Sequence, residues 1–150
     1  MRNLGATCYL NSLLQQFFFI IPFRYGILTC AADQVSTSKE ESLIYELQVL
    51  FTNLLLSERQ DFDPSLLCEI IKDYDGTSIR PEEQQDVDEF FNLFSDKFET
   101  LLKCVPERFL LQDIFGGKIC HVVTCQGCKH VTERNKYFLS LSLDMKEKAI

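Results

Sequence analysis

The spacing of apolar residues changes character at Gly116-Gly117, and a fold built from one kind of secondary structure cannot accommodate both parts of the pattern. Upstream, Leu10, Leu13, Leu14, Phe17, Phe18 and Ile21 recur at helical intervals, with Thr7 at the N-cap position and Cys8 as the first helical residue. Leu43, Leu47, Leu50 and Leu54 predict a second amphipathic helix ending near Ser57, after a polar loop over residues 32–41. Asp63-Pro64 reads as the N-cap and first position of a short helix that buries Leu66, Leu67, Ile70 and Ile71. Asp75-Gly76 predicts a turn. Pro81-Glu82-Glu83 then opens a long helix with acids in its first turn and a buried stripe of Val87, Phe90, Phe91, Phe94, Phe98 and Leu101. Downstream of the glycines, residues 118–124 and 130–144 alternate, most clearly at Leu139, Leu141 and Leu143 against Ser140 and Ser142. The expectation is an α+β fold, helical over residues 1–115, with a β-hairpin in 116–150.

Composition removes several classes of function. A net charge of −7, from 22 acids and 15 bases without a basic run, lacks the footprint of a nucleic-acid-binding protein and suits a basic partner. Seven cysteines, an odd number spread through apolar sequence, do not form the framework of a small secreted scaffold and point to a reducing, intracellular compartment. The most apolar run, residues 17–21, is stopped by Pro22, far short of the roughly 20 residues a membrane span needs. Asn11, Gln15 and Gln16 interrupt any signal-peptide core, so a soluble chain is expected.

The segment from Arg2 to Ser12 carries a chemical signal. A cysteine at a helix N-terminus faces unsatisfied backbone N–H groups and the positive end of the helix dipole, both of which favour the thiolate. The Asn3 amide, five residues upstream, can donate to a developing oxyanion, and Gly5 lets the backbone turn tightly before the helix. Taken alone, the same cysteine also fits a small buried hydrophobe. Cys125-Gln126-Gly127-Cys128 at the hairpin tip has the spacing of a zinc knuckle, with Gly127 permitting the turn, but one pair supplies two of four tetrahedral ligands. His121 and His130 are the only nearby histidines, and the β-type flanks argue against a redox motif. An empty knuckle remains the alternative. Cys30, Cys68, Cys104 and Cys120 are expected to pack in the core.

Residues Asn3 through Ser12 resemble the cysteine box of the ubiquitin-specific proteases, Gly-Leu-x-Asn-Leu-Gly-x-Thr-Cys-Tyr-x-Asn-Ser, at every fixed position, with Met1 where the family usually has leucine. A second stretch, Glu83 to Phe91, is similar to that family's Gln-Gln-Asp-Ala-x-Glu-Phe element, with Asp88 where histidine is frequent. The resemblance implies Cys8 as nucleophile and Asn3 in the oxyanion hole. It also implies that Gln84, Asp86 and Glu89 border the channel for the arginine-rich, glycine-terminated tail of ubiquitin. Without it, the acids would read as a solvated helix face.

The same resemblance implies a papain-like architecture, with a helical thumb subdomain over 1–115 and the start of a β fingers or palm region over 116–150, together an incomplete domain. In the family the hairpin Cys-x-x-Cys shares a structural zinc with a second pair later in the chain, so Cys125 and Cys128 form half a site; catalysis itself needs no cofactor. The family's histidine, in a Gly-His-x-Tyr-like box, and its Asp or Asn are absent from this sequence. The implied function is thiol-dependent deubiquitination with ubiquitin or ubiquitinated proteins as partners, the 150 residues alone being inactive or nearly so. A non-catalytic ubiquitin-binding module is the alternative. Gln15-Gln16-Phe17 and Ile114-Phe115-Gly116-Gly117 look most like the very large members whose catalytic domain lies within a helical-repeat scaffold.

Overall fold

The computed structural model describes residues 1–31, 42–103 and 105–143. The expected loop over 32–41 and the expected burial of Cys104 lie outside the described residues. The chain forms two units, Met1–Leu110 and Leu111–Ile150.

The first unit is helical: α1 (Cys8–Phe19), α2 (Ile21–Thr29), α3 (Leu43–Leu56), α4 (Ser65–Ile70) and α5 (Val87–Leu102), followed by a 3-10 turn at Pro106–Phe109. Its centre is aromatic. Phe17 from α1, Phe23 from α2, Phe51 from α3 and Phe90, Phe94 and Phe98 from α5 are all essentially inaccessible to solvent. The Phe17 ring lies 4.6 Å from Phe23 and 5.0 Å from Phe94, and Phe98 lies 5.5 Å from Phe94 and 5.7 Å from Phe23. Each such ring is worth about 1.5–3 kcal/mol in removed apolar surface, so the cluster ties α1 to α5. Gln48 adds a polar lock: its Nε2 donates to the carbonyls of Ile27 (2.9 Å) and Cys30 (2.8 Å), satisfying the end of α2 from α3.

Several sequence expectations are corrected. The first apolar stripe ends with α1 at Phe19. Ile21 is 65% exposed and starts α2, whose first turn holds Pro22. In the 63–71 segment Pro64 is the N-cap of α4, while Asp63 Oδ1 accepts from the Ser65 amide (3.0 Å) and hydroxyl (2.6 Å). Leu67 and Ile71 are buried there, but Leu66 faces solvent.

The long helix does not open at Pro81. Arg80 to Glu83 form a turn closed by the Glu83 amide on the Arg80 carbonyl (3.1 Å), with Pro81 at its second position, and α5 starts at Val87. Asp86 is the N-cap, its Oδ1 accepting from the amides of Asp88 (2.7 Å) and Glu89 (3.3 Å). Val87, beside the cap, is 48% exposed and outside the stripe, and Leu102 rather than Leu101 closes the buried face.

In the second unit, α6 (Leu110–Phe115) leads into an antiparallel hairpin of β1 (Gly117–Thr124) and β2 (Val131–Phe138), registered from Gly117 opposite Phe138 to Thr124 opposite Val131. The α+β class is observed. The alternation at residues 139–143 forms no strand; Leu141 and Leu143 are exposed, and β2 stops where its partner strand stops. Cys30 and Cys68 are buried as expected, whereas Cys120 is exposed because the described residues of its unit cover neither face of the hairpin at that point. Burial and the nearby Glu107 carboxylate push the Cys30 thiol up to about 11. No helix among the described residues is long and apolar enough to cross a membrane.

Candidate active site

The loop over residues 2–7 that delivers Cys8 is bonded along its length. The Arg2 amide donates to the Phe62 carbonyl (2.8 Å), and the Ala6 amide to the Pro81 carbonyl (2.7 Å). Gly5 between them has φ +136°, a conformation that favours glycine, and an added Cβ would also crowd the Pro81 oxygen at 3.1 Å. The turn at Pro81, misread from sequence as a helix start, is therefore a support for the cysteine loop.

Thr7 is the N-cap of α1 by position but makes no side-chain cap. Fully buried, it spends its hydroxyl inside the loop, accepting from the Leu4 amide (3.1 Å) and donating to Asn3 Oδ1 (3.1 Å). Asn3 Oδ1 also accepts from the amides of Gly5 (3.3 Å) and Thr7 (3.2 Å). With its oxygen engaged by three donors, the exposed Asn3 side chain has Nδ2 as its remaining hydrogen-bonding group, a donor. The start of α1, left without a side-chain cap, suits a developing negative charge.

Cys8 is exposed at the first position of α1. With Tyr9 and Ser12 it forms one wall of an open cleft of about 700 Å³, and Gln84, Gln85, Asp86 and Val87 form the other. Of the residues singled out from sequence, Cys8, Gln84 and Asp86 are brought together here. Glu89 lies exposed in the first turn of α5 and does not line the cleft. Ser12, one helical turn from Cys8 on the same face, was missed, although its i+4 spacing was a usable signal. Gln85 and Val87 were missed because the segment was read as helix.

Tyr9 lines the cleft, yet its hydroxyl is buried without a hydrogen-bond partner, and its ring meets Phe90 edge-on at 5.2 Å. Burial first, then the proximity of Cys68, Cys8, Asp73 and Glu83, pushes the phenol from 10.0 up to about 12. Its ionised form is disfavoured in the folded protein, so stability from this group is complete below pH 10 and is lost as pH rises from 10 towards 12. Tyr9→Phe is expected to keep neutral-pH stability or raise it by up to about 1 kcal/mol, and to flatten the alkaline fall in urea midpoint. A lower midpoint at neutral pH would show that the hydroxyl has a partner.

At the hairpin tip the amide of Cys128, its thiol and the amide of Gly127 all point at Cys125 Sγ and hold that thiol below its ordinary value. The Cys125 amide donates to the His130 carbonyl (2.8 Å), and the Lys129 amide to the Cys125 carbonyl (2.9 Å). The left-handed residue is Lys129 (φ 58°), not Gly127, whose glycine the turn does not require. Amides directed at the first sulfur fit a thiolate ligand in a knuckle, and two donors are present. Among the described residues no group of three or more metal-binding side chains occurs. The chain's two histidines, His121 in β1 and His130 before β2, both belong to this second unit.

The sequence profile of the ubiquitin carboxyl-terminal hydrolase family matches residues 1–147. The chain belongs to that family. Among its relatives are ubiquitin carboxyl-terminal hydrolase 24 of Mus musculus, 30% identical over 95% of this chain and 5% of its own length, and ubiquitin carboxyl-terminal hydrolase 15 of Schizosaccharomyces pombe, 32% identical over 97% and 12%. Ubiquitin carboxyl-terminal hydrolase 34 of Homo sapiens is 32% identical over 94% of the chain and 4% of its own length. This family member thus spans a small part of the length of the curated relatives it matches, and that part contains the Cys8 cleft.

Proposed function

We propose that the native protein is a cysteine-type deubiquitinase that cleaves bonds at the C-terminal glycine of ubiquitin, with Cys8 as nucleophile. The observation that carries this reading is the cleft itself, which sets an exposed cysteine at an uncapped helix start opposite Gln84 and Asp86. The Cys8 thiolate attacks the glycine carbonyl carbon. The oxyanion accepts hydrogen bonds from Asn3 Nδ2 and the start of α1. Collapse expels the leaving amine, and water then hydrolyses the thioester. The base that takes the thiol proton and later protonates the amine is assigned, by the family resemblance, to a histidine in a Gly-His-x-Tyr-like box, a motif that these 150 residues do not contain. Residues 1–150 alone are accordingly expected to hydrolyse almost nothing.

Gln84, Asp86 and Glu89 seat the ubiquitin tail, the carboxylates pairing with its guanidinium groups. Asp86 Oδ1 is held by the α5 cap, leaving Oδ2 for such a pair. Cys125 and Cys128 hold half of a structural zinc site, which when loaded would pin the hairpin tip. An intracellular location follows from the cysteine usage.

Asp86→Asn separates the two roles of this residue. Asparagine caps a helix as well as aspartate does, so the thermal midpoint is expected to hold, while loss of the charge lowers kcat/KM on a fluorogenic ubiquitin amide by about 10-fold. An unchanged kcat/KM would remove Asp86 from the tail site. Absence of ubiquitin hydrolysis by the native protein would defeat the reading as a whole.

A further inference from the structure

Asn11 is the polar residue of α1 that neither capping nor packing explains. It sits half-buried on the helix, and its Nδ2 donates to the Arg2 carbonyl (3.1 Å). Its Oδ1 is buried and has no hydrogen-bond partner. A buried acceptor without a donor is destabilising, and an apolar side chain of similar shape would avoid that cost. What the asparagine supplies is the Nδ2 bond.

That bond falls at a particular place. The Arg2 carbonyl belongs to the peptide unit that also carries the Asn3 amide N–H, so Asn11 fixes the plane from which the Asn3 side chain departs. The side chain is fixed at its other end by the three donors on Oδ1. The Arg2 guanidinium adds three solvent-exposed contacts of 3.2 Å, two to Asp61 and one to Asp63, which hold it weakly. A donor that stabilises an oxyanion works only if its direction is set before the charge develops.

We infer that Asn11 is a positioning residue: it holds the Arg2-Asn3 peptide so that Asn3 Nδ2 meets the oxyanion in register. This rests on the oxyanion role proposed for Asn3. Asn11 touches no reacting atom and acts through Asn3 alone.

The test uses Asn11→Leu and the smaller Asn11→Ala in the full-length native protein, each with and without Asn3→Ala. Hydrolysis of a fluorogenic ubiquitin amide is expected to lose about 10- to 100-fold in kcat with KM nearly unchanged. Alkylation of Cys8 by ubiquitin carrying a C-terminal haloalkyl group forms no oxyanion and should keep its rate. Asn11→Leu should also keep or raise the thermal midpoint, because the orphaned acceptor is gone. In the Asn3→Ala background the Asn11 variants should cost little more. Unchanged kcat, equal falls in hydrolysis and alkylation, or full additivity with Asn3→Ala would each overturn the inference. If Asn3→Ala lowers kcat while both Asn11 variants keep it, this inference alone fails. If Asn3→Ala leaves kcat intact, the oxyanion assignment fails and the inference with it.

Discussion

Replacing Cys8 with alanine is expected to lower ubiquitin amide hydrolysis by the native protein about 10⁴-fold or more while leaving folding untouched. The size follows from mechanism: without the thiolate no acyl-enzyme forms, and the remaining donors at Asn3 and the start of α1 have no nucleophile to serve. The indifference of the fold follows from position. Cys8 is exposed at the first residue of α1, and alanine is the best helix former, so the unfolding free energy should change by no more than about 0.5 kcal/mol. Turnover with a fluorogenic ubiquitin amide, set beside a thermal melt of the same samples, checks both. A variant that retained even a tenth of the activity would place the chemistry elsewhere.

Phe94→Ala should give the largest effect on stability, about 3–5 kcal/mol. Phe94 is fully buried, with Phe17 at 5.0 Å, Phe98 at 5.5 Å and Phe90 at 6.5 Å, so truncation leaves a cavity walled by other rigid rings that cannot collapse into it. A domain's whole stability is about 5–15 kcal/mol, so much of the variant would be unfolded near physiological temperature. Val87→Ala is the contrasting case. The sequence assigns Val87 and Phe94 to one buried stripe, but Val87 is half-exposed beside the Asp86 cap, and its truncation should cost within about 0.5 kcal/mol. Urea midpoints of the two variants compare these positions directly.

Where the sequence was informative, local physics decided the outcome. The spacing of Leu43, Leu47 and Leu50 buries one face of α3 as expected, and the β-branched run after Gly117 pairs as a hairpin. The errors share a cause: a local signal had a competitor further along the chain. Pro81-Glu82-Glu83 has every mark of a helix start, but Asp86 caps better, and the Pro81 carbonyl is taken by the Ala6 amide, a partner 75 positions away in sequence. Residues 139–143 alternate like a strand, yet alternation requires a neighbour to pair with, and β1 offers none there.

The candidate site was partly legible for the same reason. Cys8, Gln84 and Asp86 were identifiable from short motifs, and they meet in one cleft. The motif could not reveal that the Thr7 hydroxyl turns inward to Asn3, or that Asn11 reaches back to Arg2. A motif records residue types, whereas these bonds depend on how the loop is folded.

Mass spectrometry of the native protein after reaction with ubiquitin bearing a C-terminal electrophile in place of its terminal glycine tests the central claim most directly. One adduct of a single ubiquitin, mapped to the Cys8 Sγ and lost in Cys8→Ala, is the expected result. Adduct formation at another cysteine, or undiminished labelling of Cys8→Ala, would contradict the assignment of Cys8 as the nucleophile.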